Sequence, residues 1–309
     1  MKFDDYISVV LTAYNSSDYL RMPIQSILNQ TYRKFELIVV NDGSTDDTEN
    51  IVKSFVDDRI KYFSIEHLGR GRALNFGLKN ASYEWVALMD SDDIAHPERF
   101  ICELTYKNLV YNDVVFPDAV YFKECNIKFI STISGNYESV KEIIRLHGHI
   151  CPGVIFNKNF ILANGGFDKT LGNSEDYDLW MRIFEKVNFV HVNIPLMYVR
   201  MRKDSLSREN YKKVKDTIYS IKQKYNIRYS GISAGWNEFF YGSRKKSRIE
   251  FRKHLKNPKA AAGYLVSFIP ERMFNYIIDN KVVPRLKYLI YKLIFFRKHM
   301  KLLHNLKNL

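Results

Sequence analysis

Cysteine is scarce in this chain of 309 residues, and long stretches free of charge are missing from its C-terminal part. The three cysteines, at positions 102, 125 and 151, are odd in number and far apart, so we expect reduced thiols and neither a disulfide framework nor a zinc site. Residues 1–5 contain no apolar core of a signal peptide, so we expect none. The uncharged run at 260–270 is too short to span a bilayer.

Positive charge is concentrated in one part of the chain. The net charge is +13, and residues 244–309 hold 17 Lys and Arg against 3 Asp and Glu, which leaves 30 against 31 elsewhere. A hydrophobic content of 46% and an aromatic content of 15% are typical of a globular protein of one large domain or two. The body of the protein is therefore close to neutral, and its basic C-terminal part needs a separate explanation.

The first third of the chain alternates between apolar runs and helical patterns. Buried strands are predicted at 7–13, 35–40, 60–63 and 85–89, and helices at 18–28, 47–55 and 69–80. This alternation indicates a parallel sheet with right-handed crossover helices. We find no internal repeat and no low-complexity segment.

The second half of the chain is less regular. One or two strands are predicted at 119–133, a strand at 153–156 and edge strands at 189–194 and 196–201. Helices are predicted at 138–146, 175–186 and 209–225.

Three of the predicted strands end in polar turns, at 12–15, 41–46 and 90–93. Because ligands bind at the carboxyl ends of the strands in open α/β sheets, these turns predict one nucleotide-binding rim. The last turn carries Asp90, Asp92 and Asp93, whose carboxylates would repel one another without a positive partner. It therefore predicts a site for Mg²⁺ or Mn²⁺, which prefer oxygen ligands. The alternative is that Asp92 or Asp93 caps a helix starting near Pro97.

Five segments in this order resemble the family 2 inverting glycosyltransferases with the GT-A fold. They contain the sequences TAYN, VVNDGSTD, GRGRALNFG, LMDSDD and EDYDLW and lie at 12–15, 39–46, 69–77, 88–93 and 175–180. Each motif alone is weak, but all five in register over residues 5–205 make a specific pattern.

The resemblance implies a fold and a division into domains. The fold is an α/β GT-A fold with a Rossmann-like, mostly parallel sheet flanked by helices, followed by a basic helical C-terminal extension. Residues 1–225 would form the catalytic domain, with a nucleotide-binding half at 1–95 and an acceptor-binding half at 96–225. Residues 226–309 would form the extension.

The resemblance also implies roles for single residues. Asp176 would act as the general base, and Asp92 would bind the metal ion with support from Asp90. The nucleotide-sugar site would comprise Thr12, Tyr14, Asn15, Asp42, Arg70, Arg72, Asp90 and Ser91, with either arginine near the uracil or the diphosphate. The acceptor side and the surroundings of the site would include Asp93, Glu175, Trp180 and His149. From the residues alone, carboxylates at 175 and 176 also suit the first turn of a helix, and Trp180 suits a core.

The chemistry of sugar transfer agrees with this assignment. A divalent ion would neutralise the leaving diphosphate of a UDP-sugar, and a carboxylate would take the proton of the acceptor hydroxyl. One such base predicts a single displacement with inversion at the anomeric carbon. A sugar nucleotidyltransferase is an alternative on a similar sheet, and so is a non-catalytic glycan- or membrane-binding protein.

The basic C-terminal part predicts a membrane partner. From 286 to 306 apolar residues recur at helical spacing while lysines and arginines fill much of the other face, which is typical of a helix on anionic lipid. The alternative is a helix packed on the catalytic domain. We expect no nucleic acid partner. The expected acceptor is a glycan or an undecaprenyl-linked or other lipid-linked oligosaccharide of a bacterial surface glycan such as lipopolysaccharide or capsule. The expected location is cytoplasmic, peripheral on the inner face of the cytoplasmic membrane.

Overall fold

A computed structural model describes residues 5–106, 108–123, 126–131, 141, 144–145, 150, 153–202, 211–227 and 244–268. The chain divides into two units, Met1–Ile227 and Arg228–Leu309. In the first unit, four parallel strands lie in the spatial order β3-β2-β1-β4. They are β1 (Ile7–Ala13), β2 (Phe35–Asp42), β3 (Ile60–Ile65) and β4 (Trp85–Asp90). The predicted parallel sheet is confirmed in this part.

Helices cover both faces of these strands because alternate side chains of a strand point to opposite faces. The helices are α1 (Arg21–Leu28), α2 (Thr48–Lys53), α3 (Arg70–Asn80) and α4 (Arg99–Thr105). Val10, Ile38 and Val86 pack in one apolar cluster with α3, while Val9, Leu37 and Ala87 pack in another with α1 and α4. Strands β1, β2 and β4 are therefore buried on both sides, and only their ends are open to ligands.

The sheet continues beyond β4 with mixed directions, in the order β4-β8-β6-β9-β5, and β7 pairs with β6. The strands are β5 (Ile94–Ala95), β6 (Asp113–Lys123), β7 (Asn126–Ser131), β8 (Ile155–Asn157) and β9 (Asn188–Arg200). The two predicted edge strands at 189–201 are one strand that lies between β6 and β5, so that prediction was wrong. Pro195 separates the two predicted strands, and the structure accommodates it at an irregularity in the pairing with Asp118.

Three helices complete the described part of the first unit, α5 (Lys158–Ala163), α6 (Glu175–Arg182) and α7 (Tyr211–Lys224). The second unit contains α8 (Arg244–Arg252) and α9 (Pro258–Val266). These two helices pack closely, because a Cβ atom on Gly263 would lie 2.5 Å from the ring of Phe251. Among the described helices, none is both long enough and apolar enough to cross a membrane.

Several predictions fall on other parts of the chain. His149, the cysteines at 125 and 151, most of the predicted helix at 138–146 and the predicted basic helix at 286–306 lie outside the described residues. One alternative for the acidic turn was wrong. Helix α4 begins at Arg99 with Glu98 at its N-cap, so neither Asp92 nor Asp93 caps it.

Candidate active site

The carboxyl ends of β1, β2 and β4 lie side by side. Thr12 of β1 is paired in register with Asp90 of β4, and Ala13 with Asn41 of β2. The loops that follow are joined by hydrogen bonds, since the hydroxyl groups of Ser16 and Ser91 are 2.8 Å apart. The three predicted turns therefore form one rim, and Thr12 lies buried at its centre.

Asp42 organises one end of this rim. Its carboxylate accepts the backbone N–H groups of Leu68 and Gly69 at 3.0 and 3.1 Å, and Nδ1 of His67 lies 2.9 Å from Oδ2. The ring of His67 stacks on Tyr14 with the ring centroids 3.9 Å apart. Asp42 thus holds the loop before α3 in place, and the exposed ring of Tyr14 lies against His67 of that loop.

Asn15 connects the first two loops. Its backbone has a positive φ of 45°, and its side-chain oxygen accepts the N–H of Thr45 at 2.8 Å. Its own N–H donates to the hydroxyl oxygen of Ser44 at 2.9 Å. The predicted nucleotide contact of Asn15 stays a prediction, because the described contacts of Asn15 hold the rim together and do not test it.

Arg70 lies among the carboxylates at the middle of the rim. Its Nη2 donates to Asp90 at 2.7 Å, and its Nη1 donates to Glu175. Burial alone would lower the pKa of Arg70, but the charges of Asp90, Glu175 and Asp176 outweigh it and raise that pKa well above its usual range. Arg72, the alternative in the same motif, is exposed on α3. The structure therefore brings Arg70, and not Arg72, to the acidic residues.

The helix of Arg70 approaches the α6 region closely. A Cβ atom on Gly71 would lie 2.5 Å from the backbone oxygen of Asp168 and 3.7 Å from Cβ of Glu175. The small residue after Arg70 is therefore what lets the guanidinium reach the start of α6.

Asp92 and Asp93 face the end of β9. Nε of Arg202 lies 2.9 Å from Oδ2 of Asp92, and the backbone N–H of Arg200 donates to Oδ1 of Asp93 at 2.9 Å. Burial, followed by the charge of Asp90, raises the pKa of Asp92. Burial and the charges of Asp90 and Asp92 raise the pKa of Asp93 well above its usual range. The turn therefore concentrates negative charge that a cation would relieve.

The two predicted metal ligands, Asp90 and Asp92, carry the oxygen atoms that a divalent cation such as Mg²⁺ prefers. Asp90 and Asp92 offer half-buried carboxylates at the rim, but each has an oxygen held by an arginine. No group of three or more His, Cys, Asp or Glu in the described residues is arranged to hold a metal ion. Mg²⁺ commonly takes one or two carboxylates and completes its coordination with substrate phosphates and water. The two aspartates suit a cation that arrives with such ligands.

Asp176 lies in the first turn of α6. Ser174, at the N-cap two residues earlier, has a left-handed backbone with φ of 59°, and Oδ1 of Asp176 accepts the N–H of Tyr177 at 2.8 Å. Asp176 is half-buried and close enough to Arg70 to affect its pKa, whereas its neighbour Glu175 is buried. The contact with Tyr177 is compatible with the helix-capping interpretation as well as with a base at the rim.

Trp180 belongs to the core. It is 2% exposed and packs edge-on against Phe156 and Phe189. Its position does not offer the indole face to a sugar.

Sequence reasoning missed three residues at the rim: His67, Arg200 and Arg202. His67 comes two residues before the GRGRALNFG motif at 69–77, and this position in the sequence could have marked it as a residue of the site. Arg200 lies in a stretch that was predicted to be an edge strand and Arg202 lies just after it, so nothing in the pattern placed them beside Asp92.

A family model, Glycosyl transferase family 2, matches residues 8–150. The O-antigen biosynthesis glycosyltransferase WbnJ of Escherichia coli is 33% identical over 190 residues, which cover 59% of this chain and 73% of WbnJ. The chain spans only 31 to 61% of the length of five uncharacterized glycosyltransferases from Rickettsia species that it also matches.

Two solved structures are similar in fold. Staphylococcus aureus TarS 1–349 in complex with UDP-GlcNAc matches with a TM-score of 0.59 at 19% identity, covering 87% of this chain and 82% of that one. The mannosyltransferase PcManGT from Pyrobaculum calidifontis, in complex with GDP-Man and Mn²⁺, has a TM-score of 0.59 at 15% identity, covering 92% and 86%. The predicted GT-A fold is thereby confirmed, and the chain belongs to glycosyl transferase family 2.

Proposed function

We propose that this protein is a metal-dependent inverting glycosyltransferase that moves a sugar from a UDP-sugar to a hydroxyl group of a glycan or lipid-linked oligosaccharide. The observation that carries the proposal is the order of groups along one rim. Tyr14 and Asp42 lie at the end of the rim next to β2, Asp90 and Asp92 lie at the end next to β4, and Arg70 joins Asp90 to Glu175, the neighbour of Asp176. Along the rim, this order suits the binding of a nucleoside first, then a diphosphate and then an acceptor.

The nucleoside end is suited to a flat base. Tyr14 presents a ring that is 46% exposed and stacked on His67, and the Asp42 carboxylate at the end of β2 lies 2.9 Å from Nδ1 of that histidine. Aromatic side chains bind bases by stacking, whereas a carboxylate accepts from ring or ribose donors. The UDP-GlcNAc bound to TarS supports uridine as the nucleoside.

The negative charge of the leaving diphosphate must be neutralised. Lewis-acid neutralisation of the leaving diphosphate is the chemistry that a bound Mg²⁺ or Mn²⁺ supplies, and Asp92 with Asp90 would hold the ion. The Mn²⁺ in PcManGT supports the choice of metal. Arg70 lies against Asp90, where it orients that carboxylate and adds positive charge to the rim.

Asp176 is the group proposed to take the proton of the acceptor hydroxyl. Its half-buried carboxylate lies at the start of α6, where the N–H of Tyr177 holds Oδ1 and fixes the direction of the group. A single base acting during a single displacement inverts the configuration at the anomeric carbon. Removing a general base typically slows a reaction by about 10²- to 10⁴-fold.

We propose a surface glycan as the product and a membrane surface as a partner. The relative WbnJ is named for O-antigen biosynthesis, which supports an acceptor of that class. The excess of lysine and arginine at 244–309 supports attachment to the anionic inner face of the cytoplasmic membrane, where a lipid-linked acceptor would be found.

Release of nucleotide from a panel of sugar nucleotides, with and without EDTA, tests this function. We expect UDP release from one or more UDP-sugars, loss of turnover in EDTA and recovery with Mn²⁺ or Mg²⁺. Asp176→Asn should lower kcat by about 10²- to 10⁴-fold because the amide cannot accept the proton. Glu185→Gln is the matched control, since Glu185 is an exposed carboxylate just beyond α6.

The products distinguish the alternatives. Pyrophosphate in place of UDP would indicate a nucleotidyltransferase, and no release from any donor would favour a non-catalytic binding protein. Retention at the anomeric carbon in the NMR spectrum of the product would contradict the role of Asp176, and turnover that persists in EDTA would contradict the metal.

A further inference from the structure

The pairing of β4 with β8 ends just before the acidic turn. The paired register of β4 ends at Ala87, and the N–H of Leu88 then donates to the backbone oxygen of Val154 at 2.9 Å. Gly153, the next residue back along the chain, has a positive φ of 98° and so leaves the extended conformation of a strand. This point, at Leu88 and Gly153, is the strand fork, and β4 continues from it to Asp90.

The guanidinium of Arg99 lies in the strand fork. Its Nη2 donates to the backbone oxygens of Leu88 at 3.2 Å and Gly153 at 2.6 Å, and its Nη1 donates to Sδ of Met89 at 3.7 Å. Arg99 is fully buried, and a Cβ atom on Gly153 would lie 3.1 Å from its Cζ. Arg99 therefore joins the last residues of β4 before Asp90 to the segment before β8.

Arg99 is itself held from two sides. Its Nε donates to Oε2 of Glu103, one turn further along α4, at 3.1 Å. At the start of α4, the side chain of Gln30 donates to the backbone oxygen of His96 at 2.7 Å and accepts the N–H of Phe100 at 3.1 Å. The guanidinium is therefore a fixed point that can determine where β4 ends.

Stability alone does not explain the ion pair between Arg99 and Glu103. Both side chains are fully buried, and Oε1 of Glu103 has no hydrogen-bond partner among the described residues. Burial raises the pKa of Glu103 to about 7, although the charge of Arg99 lowers it. Because taking two charges out of water can cost more than their attraction returns, an apolar pair is often as stable. The two backbone oxygens that Arg99 holds explain its position better.

We propose that Arg99 is a positioning residue for the acidic turn. By holding the end of β4 at the strand fork, it sets the geometry in which Asp90 and Asp92 meet a divalent cation. Because Arg99 is fully buried, it acts through the backbone of β4 and not by contact with a ligand. The inference rests on the proposed function, since it requires a cation at these two carboxylates. Neither the motifs nor the family match assigns a role to Arg99.

Three variants separate the backbone contacts from the ion pair. Arg99→Met removes the donors and leaves Glu103 unpaired, whereas Arg99→Met/Glu103→Met removes both charges, so its Tm should lie closer to that of the unchanged protein. Both should bind Mn²⁺ about tenfold more weakly in the presence of UDP, at the lower end of the range for outer partners of metal ligands. Glu103→Gln keeps an oxygen that can accept from Arg99, so it should bind Mn²⁺ as the unchanged protein does.

A fourth variant keeps the charge beside Glu103 in case the others fold poorly. Arg99→Lys retains a cation but not the planar fork that reaches two backbone oxygens, so it should also weaken Mn²⁺ binding, by less than Arg99→Met does.

Titration of the full-length protein with Mn²⁺ in the presence of UDP, followed by the electron paramagnetic resonance signal of the free ion, measures these affinities. A loss of stability alone would lower the number of molecules that bind but not the affinity of each folded one. Arg59→Met is the matched control and should leave Mn²⁺ binding unchanged. Arg59 also donates to a backbone oxygen, that of Leu28 at 3.2 Å, and pairs with Asp57, but it lies just before β3, at the amino end of that strand.

The outcomes separate this inference from the proposed function. If the double variant binds Mn²⁺ with an unchanged Kd, or if Glu103→Gln weakens binding as much as the loss of Arg99 does, the positioning role is overturned and the proposed metal site stands. If the unchanged protein binds no Mn²⁺ with or without UDP, the proposed metal site fails, and the role of Arg99 fails with it.

Discussion

Tyr14 presents a flat surface at the end of the rim that we propose binds the nucleoside, and its contribution to UDP binding can be measured directly. One face of the ring lies on His67, and the side chain is 46% exposed. Stacking of a base on an aromatic ring is worth about 1–3 kcal/mol. Tyr14→Ala should therefore weaken UDP binding by roughly 5- to 150-fold in isothermal titration calorimetry.

Tyr14→Phe is the control for this prediction, because it keeps the ring and loses only the hydroxyl group. It should bind UDP nearly as well as the unchanged protein. An alanine variant with an unchanged Kd would mean that the base binds elsewhere, and the nucleoside end of the rim would have to be reassigned.

At the scale of residues, the sequence predicts the position of a side chain best when the residue lies at the end of a predicted strand. Thr12 and Asp90 meet because their strands are neighbours in register, and this follows from the alternation of strands and helices. Arg202 and His67 were not predicted, because their positions depend on the path of β9 and on a loop held by Asp42. Contacts between segments that are distant in sequence leave no local pattern.

Helix α6, which carries Asp176, is held in place by the end of α7. The buried carboxylate of Asp178 accepts hydrogen bonds from Lys224 and from the hydroxyl of Tyr225, both at 2.9 Å, and from Arg182 on its own helix at 3.1 Å. Asp178 was seen in the sequence only as one carboxylate of a motif. In the structure it connects α6 to the end of α7.

Lys222 of α7 makes the stability of the protein depend on pH. The side chain is 3% exposed over the ring of Tyr177, and burial lowers its pKa from 10.5 to about 6. Between these two pKa values the unfolded chain binds more protons than the folded protein, so this residue's contribution to stability increases as the pH rises. Lys222→Met removes this dependence and should raise the Tm at pH 7.

Thermal unfolding of the Lys222→Met variant between pH 6 and 9 tests this. The advantage of the variant should decrease with pH by up to about 1.4 kcal/mol per pH unit. Lys213→Met, an exposed change on the same helix, should stay close to the unchanged protein at every pH. A difference that does not vary with pH would show that Lys222 is charged in the folded state.

At the scale of elements, the first four strands and three helices follow from the sequence to within a few residues. The apolar runs of β1, β2 and β4 were interpreted correctly because both faces of these strands are buried. The later strands were predicted less well. β5 has only two residues, too few for a recognisable pattern, and β9 was predicted as two strands because Pro195 interrupts its sequence.

At the scale of the whole molecule, positive charge is concentrated in a C-terminal part of the sequence that contributes no residue to the proposed site. The family match and the rim lie within residues 8–202, whereas residues 244–309 hold 17 Lys and Arg against 3 Asp and Glu. This excess of positive charge is the reason for the proposed attachment to an anionic membrane surface. Each lysine or arginine near an anionic surface is worth about 1 kcal/mol.

Reversal of charge in the full-length chain tests the membrane proposal. Replacement of four lysines by glutamate, at Lys287, Lys292, Lys298 and Lys301, should abolish flotation with vesicles that contain anionic lipid, since about 4 kcal/mol of attraction is lost and repulsion replaces it. Replacement of the same four by arginine keeps the charge and should leave flotation unchanged. Binding of the unchanged protein should weaken in high salt, because salt screens exposed charges. If the glutamate variant floats as the unchanged protein does, the segment is not a lipid anchor, and its apolar residues are then better explained by packing against protein.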